Sequence, residues 1–197
     1  MTNMKKFTPF AAVLVIACNL APKEGKTYTF NDVGWTMTLP AQMNVVDSAG
    51  AAKINEKGKA LMEQSTGTKL DISATRTLIT ARKSVGSSYF TSTITPFDPQ
   101  KDGGWDSSNQ AVKELIFKTF TDQMPDATLD SASGAVKVGG LDFDRYRITI
   151  SQKGKPLFTM FLLSKLYKGY DFGISYLYTD DQTKSQIESI LASSKFQ

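Results

Sequence analysis

The sequence predicts an α+β domain: a mainly antiparallel β-sheet with helices covering its faces. Three observations lead there. The last third holds three apolar, strand-like runs separated by Lys-Gly pairs. Two inner segments and the C-terminal one carry apolar residues at helical spacing. The order is strands, helix, hairpin, helix, three-strand meander, helix, which suits an α+β domain.

The elements follow in order. TYTF and GWTMTLP (residues 27–30 and 34–40) read as two short strands, the second stopped by Pro40. From Ser48 to about Gln64, a helix places Ala51, Ile54, Gly58, Leu61 and Met62 on one face, with Gly67 as terminator. TRTLITARK and SSYFTSTITPF form a hairpin around Ser84-Val85-Gly86-Ser87. The loop DPQKDGGWD leads to a second helix. Ser107 and Gln110 have capping-box spacing there, and Val112, Leu115, Ile116 and Phe120 form its apolar stripe.

FDRYRITI, LFTMFLLSKL and YDFGISYLY then predict a meander turning at Lys153-Gly154 and Lys168-Gly169. The middle run is apolar on both faces, with Phe158, Met160 and Leu162 against Leu157, Phe161 and Leu163, as a covered central strand would be. Thr179 and Gln182 have capping-box spacing before a last helix with Ile187, Ile190 and Leu191 inward.

Composition narrows the chemistry. The chain has 197 residues, no histidine and one cysteine. Ser-His-Asp and Cys-His catalysis, His-ligated metals, an internal disulfide and a zinc cage are excluded. The sequence lacks S-x-x-K, G-x-S-x-G, G-x-x-x-x-G-K-[ST] and G-x-G-x-x-G, the local patterns of acyl transfer and nucleotide binding. No cofactor is expected. The net charge of +4 would fall to +2 on loss of residues 1–17, too weak a bias to imply nucleic acid.

The single cysteine has an explanation. Lys5 and Lys6 precede the apolar run Phe7 to Ala17, which leads directly into Cys18. A basic start and about 7–15 apolar residues is the layout of a secretory signal, short of the ~20 needed to span a bilayer. Val15-Ile16-Ala17-Cys18 resembles the lipobox of bacterial lipoproteins. That resemblance implies cleavage before Cys18 and acylation of its thiol and new amine; two or more chains give stable anchoring. Residues 1–17 are then a signal peptide, 18–26 the lipidated cysteine and its tether, and 27–197 one folded domain. The eight tether residues after Cys18 reach at most about 28 Å. Asn19, rather than aspartate, favours the outer membrane where the organism has one.

GWTMTLP near the start of the domain and GYDFGISYLYTDDQTKSQIESILASSKF at its end resemble the PsbP-like fold. That family includes an extrinsic photosystem II subunit, Ran-GTPase-binding proteins and bacterial lipoproteins. The resemblance implies a non-enzymatic accessory or binding domain and carries over no functional residues.

The sequence offers other candidate sites. Asp98, Asp102 and Asp106 stand at positions 1, 5 and 9 of a calcium-loop spacing with Gly103 at 6. Gln100 and Asn109 occupy places where acidic ligands belong, so a polar loop with acids at a helix start fits better and no metal is expected. Asp142 with Asp144, and Asp180 with Asp181, are the nearest carboxylate pairs; they read as solvated strand-start residues and as helix first-turn residues. Arg145 and Arg147 share a strand face close to a hairpin tip bearing Lys153 and Lys155, a candidate basic binding patch. Trp35, Trp105 and Tyr89 are candidate binding aromatics.

The function expected is a non-catalytic accessory or binding module, lipid-anchored in the bacterial envelope and acting on a protein partner there. The alternatives are an envelope hydrolase using carboxylates or a Ser-Lys pair, and a carrier with a sizeable apolar pocket.

Overall fold

The computed structural model describes residues 25–84 and 86–197. The expected signal, Cys18 and the tether through Glu24, together with Val85 of the expected turn, lie outside the described residues. Strands β1 (Lys26–Phe30) and β2 (Trp35–Leu39) form a hairpin. Strand β3 (Met43–Val45) leads to helix α1 (Ser48–Thr66), and β4 (Arg76–Lys83) pairs with β5 (Tyr89–Pro96). Helices α2 (Pro99–Asp102) and α3 (Trp105–Gln123) follow. Strands β6 (Thr128–Val138), β7 (Leu141–Gln152), β8 (Lys155–Tyr167) and β9 (Tyr170–Tyr178) then run as a meander. Helix α4 (Asp181–Ser193) precedes β10 (Lys195–Phe196), which pairs with β2.

The expected α+β class is the observed one. Seven strands form an antiparallel sheet ordered β3-β4-β5-β9-β8-β7-β6, and β1-β2-β10 form a small second sheet. On the front face of the large sheet, Phe90, Ile94, Phe143, Leu163, Phe172 and Ile174 pack against β2 and α4. Trp35 lies at the centre, fully buried, with Phe30 stacked on it at 5.1 Å and its Nε1 donating to Ser194 Oγ at 3.1 Å. Truncating a core ring of this kind costs about 3–5 kcal/mol. On the back face, Tyr146, Ile148, Ile150, Phe158 and Leu162 pack under Ile116, Phe120 and Met124.

Local chemistry explains the turns. Lys153-Gly154 and Lys168-Gly169 all have positive φ, from 51° to 78°. Two such residues make the type I′ turn whose twist matches paired strands.

Several expectations shift. Helix α3 starts at Trp105 after Gly104, not with a Ser107–Gln110 box. The short α2, capped by Asp98, already turns the chain before that point. Helix α4 is capped by Asp180, whose side chain accepts from the Thr183 N–H at 2.8 Å, one residue later than expected. Only Ala51 of α1 is buried, Ile54 and Val112 are largely exposed, and Leu157 of the middle strand is 37% exposed. Strands β3, β6 and β10 were not foreseen. Strand β6 is an exposed edge strand with a polar sequence, so it lacks the alternation that marks a half-buried strand.

Candidate binding surface

Arg145 and Arg147 do share the front face of β7. Across the ladder, Arg145 lies opposite Gly134 of β6 and Leu163 of β8; Arg147 lies opposite Ala132 and Phe161. The small β6 residues leave room for both guanidinium groups. A Cβ on Gly134 would sit 3.3 Å from Arg145 Nη2, so glycine admits this side chain.

The two arginines are in different states. Arg147 donates to Asp130 Oδ2 and to Thr149 Oγ1, both at 2.7 Å. Arg145 makes no ion pair among the described residues, and its buried Nε has no hydrogen-bond partner there. An unmet buried donor costs about 1–3 kcal/mol, more when charged.

Next to the arginines lies an aromatic stack. Phe161 meets Tyr176 at 5.0 Å and 19°, and Tyr178 at 6.2 Å and 26°. Phe161 and Tyr178 are half-buried and pack against the core cluster. Burial, with Tyr178 alongside, pushes the Tyr176 phenol well above its ordinary range, and the charge of Arg145 only partly offsets this. The Tyr176 phenol is therefore neutral across the physiological range. Half-buried arginines beside aromatic rings match the enrichment of arginine and aromatic residues at protein interfaces.

The sequence misses Phe161, Tyr176 and Tyr178 as members of this surface because of one bulge. A plain two-residue hairpin after Gln152↔Lys155 would set Arg147 opposite Met160. The irregularity between Ile150 and Ser151 sets it opposite Phe161 instead. A one-residue slip moves every side chain to the other face, and no turn signal announces the bulge.

The remaining candidates scatter. Lys153 and Lys155 lie at the hairpin tip, six or more residues beyond Arg147 and so about 20 Å away at strand rise; the four basic residues do not form one cluster. Asp98 caps α2 through the Gln100 N–H, and Asp102 accepts from the Asp98 N–H at 2.7 Å. Asp106 falls in the first turn of α3. Among the described residues no three acidic, cysteine or histidine groups gather as a metal site.

Asp142 is exposed and pairs with Lys137 at 2.9 Å. Asp144 is not solvated as expected: α3 crosses β7 there, and Asp144 accepts from Asn109 Nδ2 and Lys113 Nζ. Asp180 and Asp181 serve the start of α4. Trp35 is core. Trp105 Nε1 donates to Asp171 at 2.9 Å, and burial raises both the Tyr89 phenol and the Asp171 carboxyl, the latter partly countered by Trp105.

Asp144 and Asp171 share the back face, two strands and two residues apart, about 12 Å by strand spacing and rise. A glycosidase pair needs ~5–9.5 Å. A cleft of about 810 Å³ among the described residues runs along the open edge of β4 below α1. Thr75, Thr77, Asn55 and Arg76 line it together with apolar residues such as Val46, Leu78 and Ile94, so its lining is mixed.

No family model matches the chain, and no curated protein does. Solved structures do. The solution structure of cyanobacterial PsbP (CyanoP) from Synechocystis matches at TM-score 0.56 and 13% identity, covering 93% of this chain and 99% of that one. A Bacteroides thetaiotaomicron crystal structure matches at TM-score 0.48 and 14% identity, over 88% of this chain and 49% of that one. LpqN of Mycobacterium tuberculosis, described as involved in cell envelope biogenesis, matches at TM-score 0.34 and 10% identity, over 87% and 90%. The first of these gives this chain a PsbP-like fold.

Proposed function

We propose that the chain is a non-catalytic accessory module of the bacterial cell envelope, lipid-anchored through Cys18, whose domain of residues 27–197 binds a protein partner. Its binding surface is the front of β7–β9, where Arg145, Arg147, Phe161 and Tyr178 lie together. The observation that carries this reading is the Arg145 guanidinium, without an ion pair among the described residues, beside the half-buried rings of Phe161 and Tyr178. A partner carboxylate would satisfy it in bidentate fashion. The PsbP-like fold agrees with an accessory role, and the lipobox and Asn19 favour anchoring, at the outer membrane where one exists.

The test is crosslinking on native membranes followed by affinity recovery and mass spectrometry, with parent and Arg145→Ala chains side by side. A recovered partner should bind the variant about 30-fold more weakly, the effect of a 2 kcal/mol interface residue. Among the described residues Arg145 has no ion partner to lose, so folding stability should hold. Equal recovery of the partner by both chains would reject this surface, and recovery of the parent chain alone would reject the accessory role.

A further inference from the structure

The back face of the large sheet is polar at its middle. Strand β5 presents Thr91, Thr93 and Thr95 there, β9 presents Asp171, Gly173 and Ser175, and β8 presents Ser164. A cavity of about 140 Å³ sits over these groups, with Val112 of α3 and Leu162 as its apolar wall.

Gly173 forms the floor. A Cβ there would meet Thr93 Oγ1 at 3.3 Å, a close contact with a hydroxyl that could shift by a few tenths of an ångström, and nothing else within 4 Å. Its φ is not left-handed either. A strand-interior glycine sacrifices roughly 0.5–1 kcal/mol relative to alanine, and glycine here often marks close approach of another molecule.

The polar groups have capacity to spare. Thr91 is engaged with Thr80 and Thr95 with Thr75, both at 2.9 Å. Thr93 and Ser164 have no such side-chain partner among the described residues. Trp105 holds one oxygen of Asp171 and leaves the other to accept. No lysine or arginine among the described residues lines the cavity, so an anion would face Asp171 without a cation from them. A single carboxylate among several hydroxyls matches neutral O–H groups, which both donate and accept. The volume is close to that of an engineered cavity of about 150 Å³ that holds benzene, hence room for about six heavy atoms.

We propose that this cavity is a subsite for a small neutral polyol, including the vicinal-diol edge of a sugar. Ligand hydroxyls would bond Thr93, Ser164 and Asp171, and the ligand's C–H face would lie on Val112 and Leu162. The site is independent of the partner surface and lies on the opposite face of the sheet.

The test is titration of the ¹⁵N-labelled full chain with glycerol, D-glucose and, as a cation control, ethanolamine, followed by amide chemical shifts. Saturable shifts at Thr93, Ser164, Asp171 and Gly173 with a polyol, weakened in Gly173→Ala because its methyl rises from the cavity floor, are the expected result. Ser164→Ala removes one hydrogen bond without adding bulk and should weaken binding about tenfold; it decides the matter if Gly173→Ala folds poorly. Absent or non-saturating shifts with both polyols, tighter binding of ethanolamine, or unchanged binding in Ser164→Ala would overturn the proposal.

Discussion

At the residue scale, Asp171 shows how one environment sets one group's behaviour. Burial raises its carboxyl pKa, and the Trp105 N–H opposes that shift only in part. A raised folded-state value means the group favours folding most at low pH. That contribution is lost as pH rises from the unfolded value, about 3.9, through the raised one. Asp171→Asn keeps an acceptor for Trp105 and removes the charge. Urea unfolding should therefore find the variant more stable than the parent at pH 7, with the advantage vanishing near pH 3. A gap that is constant with pH would mean that charge burial is not its origin. Asp180 works in the opposite sense: the Thr183 N–H lowers its carboxyl, so its capping contribution is lost as pH falls through that lowered value.

At the element scale, polar contacts help seat α3 on the sheet. The buried residues of this helix are Asn109 and Thr119. Asn109 and Lys113 converge on Asp144 of β7, and Lys113 Nζ also lies 6.0 Å from the Tyr146 ring centre. With Lys113 only 12% exposed, its ammonium depends on this partner. Asp144→Ala should cost about 1–3 kcal/mol, the penalty for leaving partly buried donors unmet. A double-mutant cycle with Lys113→Ala should show coupling above about 0.5 kcal/mol, and additive single effects would show that apolar packing alone holds α3. The sequence stripe of α3 named Val112, Leu115, Ile116 and Phe120. It could not indicate that the first turns, lying over a hydroxyl-rich part of the sheet, would dock through polar groups instead.

At the scale of the whole molecule, the fold and the proposed anchor rest on separate parts of the chain. The fold is a PsbP-like α+β domain, shared at 13% identity with a cyanobacterial PsbP. The proposed anchor lies upstream of it, at Cys18. Cys18→Ala should abolish lipid labelling and block processing, leaving the domain folded, because β1 begins only at Lys26. A variant that is labelled and matured like the parent would refute lipidation at that residue.

Read alone, the sequence determined the α+β class, the three-strand meander, its Lys-Gly turns and the span of α1. Each of these depends on neighbours a few residues apart: alternation, helical spacing and the positive φ of tight turns. It also excluded histidine chemistry outright, since composition needs no geometry. Only the tertiary structure decided what meets across the sheet. One bulge after Ile150 set Arg147 against Phe161, the crossing of α3 turned Asp144 from a surface acid into a docking group, and the space over Gly173 became a cavity. Those outcomes depend on register and on how helices lie over strands far away in sequence, and no local residue pattern encodes either.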